Sequence, residues 1–254
     1  MIYSGGITDV EGVKVGHRTN LEAATGCTVV LFEDGAVGGV DVRGPSPGTR
    51  EIDLLRPTYN VNVVHAVLLG GGSAFGLDAA GGVVRYLEEH GIGYQAGDVK
   101  VPIVPAAILY DLRMITNKIR PGAEDGYAAC VNATAEPVAE GTVGAGTGAT
   151  VGKVMGYDRG VKGGIGTSSV QLGDGLVVGA ITAVNAIGGV YDHRTGAVVA
   201  GPRDPESGLM QDSLALMTSP DFKKPVIEQG TNTTIGVVAT NARLTKEQAN
   251  RLAS

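Results

Sequence analysis

Tryptophan is absent from this 254-residue chain, and aromatic residues make up only 4% of it. A nucleic-acid surface built on stacked bases therefore has little material to work with. Positive charge is also short, with 20 Lys and Arg against 26 Asp and Glu and a net charge of -6. Affinity for a phosphate backbone comes mainly from clustered cations, so a nucleic-acid partner is disfavoured. Cysteine is scarce as well. Cys27 and Cys130 cannot make a disulfide framework and match no metal-ligand spacing. Their small apolar neighbours point to two buried thiols in a reducing compartment, with a catalytic cysteine as the lesser option. No apolar run approaches the roughly 20 residues needed to cross a bilayer. The opening MIYSGGITDVEG has neither the basic region nor the apolar run of a signal peptide. Together these absences lead to the expectation of a cytoplasmic protein with no membrane partner.

Glycine is what the chain has in quantity: its 41 residues exceed the usual roughly 7% about twofold and imply many turns or close backbone approaches. Hydrophobic residues at 43% and charged residues at 18% give a globular balance, and alternating strand and helix signals fit an α/β fold. Residues 27–32 and 36–42 read as a hairpin around Glu33-Asp34-Gly35, and 61–70 as a buried strand. Ser73 is placed to cap a helix on which Phe75, Leu77, Val83, Val84 and Leu87 share much of one face; Gly91 stops it, and Gly81 and Gly82 imply a close packing partner. A broken strand at 99–112, a helix at 121–134, and an extended pair around Asp174-Gly175 ending in a turn at Asn185 follow. The polar connection 193–230 holds one short helix near Asp212 to Thr218. The strand Thr234 to Thr240 and a helix whose Thr245 and Gln248 have capping-box spacing complete the pattern.

Three motifs suggest chemistry and break on inspection. In GTVGAGTGATVGK, Thr147 stands where a phosphate-binding loop needs glycine and Val154 where it needs Ser or Thr, and the dinucleotide fingerprint fails on spacing too. Tight packing is the better use of these glycines. GGGSAFG around Ser73 has Phe75 where a nucleophile elbow requires glycine. His17, His65, His90 and His193 show no metal spacing, so no metal is expected. The run Asn232-Thr233-Thr234 is different. A Thr hydroxyl becomes a competent nucleophile when the α-amine of the same residue is freed, because that amine has a pKa of about 7.7 to 8.0 and serves as a base near neutrality. Residues alone leave a plain turn as the alternative.

GGITDVEGVKVGH at 5–17, GCTVVLFEDGAVGGVDVRGPSPGTRE, LLGGGSAFGLDAAGGVVRYLEE, VPIVPAAILYDL, GTVGAGTGATVGK, GAITAVNAIGGV and NTTIGVVATNARLTKEQA together resemble the D-aminopeptidase, β-peptidyl aminopeptidase and nylon-oligomer hydrolase family. The resemblance implies an α/β fold, a four-layer αββα sandwich of the N-terminal-nucleophile hydrolase type, as one domain over 1–254. It implies self-cleavage between Asn232 and Thr233 into 1–232, the large subunit, and 233–254, the start of a small one. It also implies that relatives continue beyond the point matching Ser254, with a pair of acidic or hydroxyl residues contacting the nucleophile. By the same resemblance Thr233 is the nucleophile, Asn185 a side-chain amide donor to the oxyanion, Lys153 a lysine near the nucleophile and Tyr110 a tyrosine lining the site. The bland alternatives are a turn residue for Asn185, a solvated charge for Lys153 and a core ring for Tyr110. A homo-oligomer, a tetramer, with no cofactor is expected. Thr rather than Ser at the nucleophile tilts the expected substrate towards short linear amides such as aminohexanoate oligomers. An aminopeptidase releasing small N-terminal D- or β-amino acids, or an inactive binding member of the fold, is the alternative.

Overall fold

The computed structural model of the chain describes residues 5–223, 225 and 230–254. Residues 1–4 of the N-terminal stretch, and 224 and 226–229 of the polar connection, lie outside the described residues. In chain order the first strands are β1 (Val13–Asn20), β2 (Thr25–Ala36), β3 (Thr49–Arg50), β4 (Val64–Gly70), β5 (Tyr94–Ala96), β6 (Val99–Val101) and β7 (Ala106–Ile108). The others are β8 (Thr150–Val151), β9 (Val161–Lys162), β10 (Gly164–Gln171), β11 (Val177–Asn185), β12 (Val190–Tyr191), β13 (Val198–Ala200) and β14 (Thr233–Thr240). The α-helices are α1 (Ala79–Glu89), α2 (Ala123–Val131), α3 (Ser213–Thr218) and α4 (Lys246–Ala253).

Two sheets carry the architecture. The larger runs β1-β2-β4-β7-β3 and the smaller β10-β11-β14. Successive side chains of a strand face opposite ways, and β2 shows it: Cys27, Val29 and Leu31 join Ala79, Val83, Leu87 and Ala129 of α1 and α2 in one apolar cluster. Val30 points the other way, where Val15 and Leu69 meet Ile165, Ile181, Ala183 and Ala239 of the smaller sheet. Helices, first sheet and second sheet are thus successive layers, the α-β-β part of the expected order. Each fully buried Val or Leu in these two clusters contributes roughly 1.5–3 kcal/mol of apolar transfer free energy.

The pair expected around Asp174-Gly175 forms as β10 and β11, antiparallel from Gln171↔Val177 to Gly164↔Val184, with both turn residues at positive φ. The Gly91 stop also forms: its φ is +65°, and Ile92 N donates back to Leu87 O at 2.9 Å, a left-handed helix end. Asp212 caps α3 by accepting from the amides of Leu214 and Ala215. Thr245 and Gln248 make the capping box of α4. That helix is tied to the body of the protein: Lys246 Nζ donates to the carbonyls of Tyr59 (2.8 Å) and Val61 (2.7 Å), and Asn250 Nδ2 donates to Leu55 O (2.8 Å).

Other expectations are corrected. Residues 27–42 do not form a hairpin; β2 runs through Glu33 and Asp34 to Ala36 and pairs with β1 and β4 instead. The ladder with β1 reaches Phe32 and the ladder with β4 is interrupted between Leu31 and Ala36, so the Glu-Asp-Gly composition marks an irregularity within one strand, with Gly35 at φ +80°. Ser73 does not cap a helix. It has φ +53° and starts a 3-10 stretch, Ser73–Asp78, that only then leads into α1. The turn tips Phe75 out of the apolar face: it is exposed, with the Arg120 guanidinium 4.0 Å from its ring centre. Asn185 ends a strand, not a turn.

The two helix glycines separate cleanly. A Cβ on Gly82 would lie 1.7 Å from Ala123 O of α2, whereas one on Gly81 meets nothing within 4 Å. Only the first marks a close backbone approach. Gly82→Ala is expected to destabilise the protein by about 1–3 kcal/mol through overpacking. Gly81→Ala should stabilise it by up to about 1 kcal/mol through helix propensity. Urea denaturation of the two variants checks both signs.

Candidate active site

The antiparallel ladder of β11 and β14 ends with Asn185 opposite Thr233. Whatever fixes Asn185 therefore fixes the start of β14. Asn185 is buried and its carboxamide is fully used. Oδ1 accepts from Lys153 Nζ (2.9 Å), from Thr150 N (3.0 Å) and from Thr150 Oγ1 (3.2 Å). Nδ2 donates to Tyr110 O (2.8 Å) and Thr231 O (3.2 Å). With three donors around the oxygen and two carbonyls around the nitrogen, the orientation of the amide is set by the chemistry of its neighbours.

Lys153 reaches this point because the chain after β8 is pinned to the residues beyond β11: Gly152 N donates to Gly188 O and Lys153 N to Ile187 O, each at 2.7 Å. The side chain is 1% exposed. Nζ also donates to Asn185 O at 3.2 Å and lies 5.6 Å from the ring centre of Tyr157. Burial lowers the lysine pKa to about 8, because a charged ammonium loses hydration in this setting. Tyr157 donates its hydroxyl hydrogen to Thr231 Oγ1, and the Arg113 guanidinium stands 4.9 Å from the same ring.

The structure brings Lys153, Asn185 and the start of β14 together. Tyr110 arrives differently: its main-chain carbonyl accepts from Asn185, and the residue is half-buried. Asn232 is half-buried, and its Oδ1 has no hydrogen-bond partner among the described residues. Thr150, Tyr157 and Thr231 escaped the sequence reading. A tyrosine just after a glycine-rich run, in a chain with few rings, was the available signal for Tyr157. Beside Tyr110, Asp111 is buried and accepts from Thr25 Oγ1 and Gly72 N, both at 2.7 Å; burial raises its pKa.

Other candidates fall away. Both cysteines are buried, and burial pushes the Cys130 thiol up to about 12 and that of Cys27 further, so neither is a thiolate near neutral pH. The glycine-rich segment is used for packing: a Cβ on Gly146 would lie 2.2 Å from Ile165 N. No cluster of three or more His, Cys, Asp or Glu side chains that could hold a metal occurs among the described residues. No described helix is long and apolar enough to cross a membrane.

An amide held by a buried ammonium at the end of a strand ladder suits acyl transfer, in which negative charge develops on a carbonyl oxygen. Comparison with known proteins agrees. The profile of peptidase family S58 matches residues 5–254. An uncharacterized aminopeptidase of Mycobacterium leprae is 44% identical over 97% of this chain and 70% of its own length. A 6-aminohexanoate-oligomer endohydrolase of Kocuria sp. is 32% identical over 96% of this chain and 66% of its own. Among solved structures, the L-aminopeptidase D-Ala-esterase/amidase of Ochrobactrum anthropi, described as a variant of the Ntn hydrolase fold, has a TM-score of 0.67 at 22% identity, covering 98% of this chain and 66% of that one. A β-aminopeptidase of Burkholderia sp. has a TM-score of 0.66 at 23% identity, covering 99% and 67%. The expected α/β fold of the N-terminal-nucleophile type therefore holds.

The depressed lysine pKa has a signed consequence. Lys153 binds a proton less readily folded than unfolded, so the native state gains stability as pH rises from about 8 towards the ordinary lysine value. Lys153→Met is expected to be more stable than the wild type below pH 8, by up to the order of 3 kcal/mol, with the advantage shrinking as pH rises to 10. Denaturant titrations at pH 7 and pH 10 measure the difference; an advantage that grows with pH would refute the assignment.

Proposed function

This chain belongs to peptidase family S58 and is an amide-bond hydrolase, and on that premise we propose that Thr233 is its nucleophile, freed by self-cleavage of the Asn232-Thr233 bond and acting on short linear amides such as aminohexanoate oligomers. The observation that carries the reading is the pairing of Thr233 with Asn185 at the end of the ladder, with Lys153 buried on that same asparagine.

In maturation the Thr233 hydroxyl attacks the Asn232 carbonyl carbon. The C–N bond breaks as an ester forms, and the Thr233 nitrogen takes up a proton. Water then hydrolyses the ester, leaving an Asn232 carboxylate and a free Thr233. In turnover the α-amine of Thr233 accepts the hydroxyl proton, an acyl-enzyme forms with loss of the leaving amine, and water completes the cycle. Asn185 Nδ2 and Lys153 Nζ are the donors for the developing oxyanion. In the uncut chain one Nδ2 hydrogen goes to Thr231 O, so departure of that carbonyl after the cut frees a donor for substrate.

Aminopeptidase action is the second reading, favoured by the relative at 44% identity that carries that name. Charge argues against it here. A substrate ammonium held beside Asn185 would sit close to the Lys153 ammonium buried on that residue, and like charges repel.

Intact mass of the denatured wild type should show two pieces separated between Asn232 and Thr233, while Thr233→Ala stays whole and loses amidase activity. Asn185→Ala should lower kcat about a hundredfold or more, as removal of an oxyanion donor does. Capping the amine of an aminohexanoate dimer with an acetyl group should leave most of the activity in place; loss of activity on capping would establish the aminopeptidase reading instead. Full activity in Thr233→Ala would sink both.

A further inference from the structure

Thr231 is anchored through both its carbonyl and its hydroxyl. It is 3% exposed; its carbonyl accepts from Asn185 Nδ2 at 3.2 Å, and its hydroxyl accepts from Tyr157. The Tyr157 ring is itself fixed, with the Arg113 guanidinium 4.9 Å and Lys153 Nζ 5.6 Å from its centre. Lys153 Nζ donates to Asn185 Oδ1 at 2.9 Å. Lys153, Asn185, Thr231 and Tyr157 therefore close a ring of contacts. Beyond Asn232, Thr233 is fixed by its ladder position opposite Asn185. Asn232 is the one residue between two anchors, and both anchors lead to Asn185, one through its side-chain amide and one through its place in the ladder. Just before Thr231, Gly230 has φ +76°, a conformation glycine adopts without strain.

We propose that Tyr157 is a positioning residue for self-cleavage: its hydrogen bond to Thr231 holds the chain one residue before the scissile bond, so that the Asn232 carbonyl carbon stays within reach of the Thr233 hydroxyl. The inference rests on the reading that Asn232-Thr233 is the bond cut. Tyr157 forms no bond to the reacting atoms and moves no proton in the step. It acts by restricting where the carbonyl sits, and misplacement of about 1 Å costs such reactions as much as a hundredfold.

The test follows self-cleavage in cell-free synthesis of the full chain, with samples denatured at intervals and weighed intact. Tyr157→Phe keeps the ring and its cation contacts but removes the hydroxyl; Thr231→Val removes the acceptor. Each should slow appearance of the piece beginning at Thr233 about tenfold, the order expected for one lost hydrogen bond. The double variant should be no slower than the slower single. Thr231→Ser, which keeps the hydroxyl, should restore most of the rate. The pH dependence of cleavage in Tyr157→Phe should keep the wild-type shape. Melting temperatures, taken in a Thr233→Ala background so that every chain stays whole, should not fall with the rate. Wild-type cleavage rates in Tyr157→Phe, or Thr231→Ser as slow as Thr231→Val, would overturn the positioning role and leave the cleavage reading intact. A slowing that tracks a falling melting temperature would reduce Tyr157 to a stabilising role and overturn it too. A wild-type chain that stays whole would overturn the cleavage reading and this inference with it.

Discussion

A buried ammonium needs oxygen partners, and Lys153 takes two from a single residue, the side-chain and main-chain oxygens of Asn185. An ion removed from water loses several kcal/mol of hydration unless such partners replace it. This requirement fixes the segment after β8, the end of β11 and, through the opposite end of the same carboxamide, the carbonyls of Tyr110 and Thr231. Four stretches distant in sequence thus meet at one amide. The start of β14 inherits its place from that meeting.

The location of this network at the end of the smaller sheet follows from the packing. Between the sheets the interior is apolar, built from residues such as Val30, Leu69, Ile165 and Ile181, and an unpaired polar group there would be costly. At the strand ends the glycine-rich chain wraps closely enough to bring carbonyls and hydroxyls to the buried charge. Asp111, buried and held by Thr25 and Gly72, follows the same rule nearby. Every buried charge named here has its hydrogen bonds.

Local chemistry was legible in the sequence, and distant pairing was not. The capping box of Thr245 and Gln248 depends on residues three positions apart and forms as read, and the short helix near Asp212 to Thr218 forms as α3. The left-handed glycine after α1 and the turn at Asp174-Gly175 are equally local. Misreadings arose where tertiary pairing overrode composition. Glu33-Asp34-Gly35 has the makeup of a turn, yet β2 continues through it to pair Ala36 with Val64, and the composition shows only as an interruption of that ladder. Ser73 has the makeup of a cap, yet its backbone is left-handed and its hydroxyl caps nothing. For the site, resemblance pointed to Thr233, Asn185, Lys153 and Tyr110, but residue spacing could not show that Tyr110 works through its carbonyl. Nor could it bring Tyr157 to Thr231, 74 positions along the chain. Such contacts are products of topology.

The ties that α4 makes to Tyr59, Val61 and Leu55 bear on what a cut between Asn232 and Thr233 would do to folding itself. Residues after the cut would stay in place, held by the β11 ladder and by those three carbonyls, but the link that makes their docking intramolecular would be gone. Recovery from complete unfolding would then require two molecules to find each other, and its rate would depend on protein concentration, whereas the first folding did not. The mature protein would be a product of its own history: persistent once assembled, and dependent on a connected chain for its assembly.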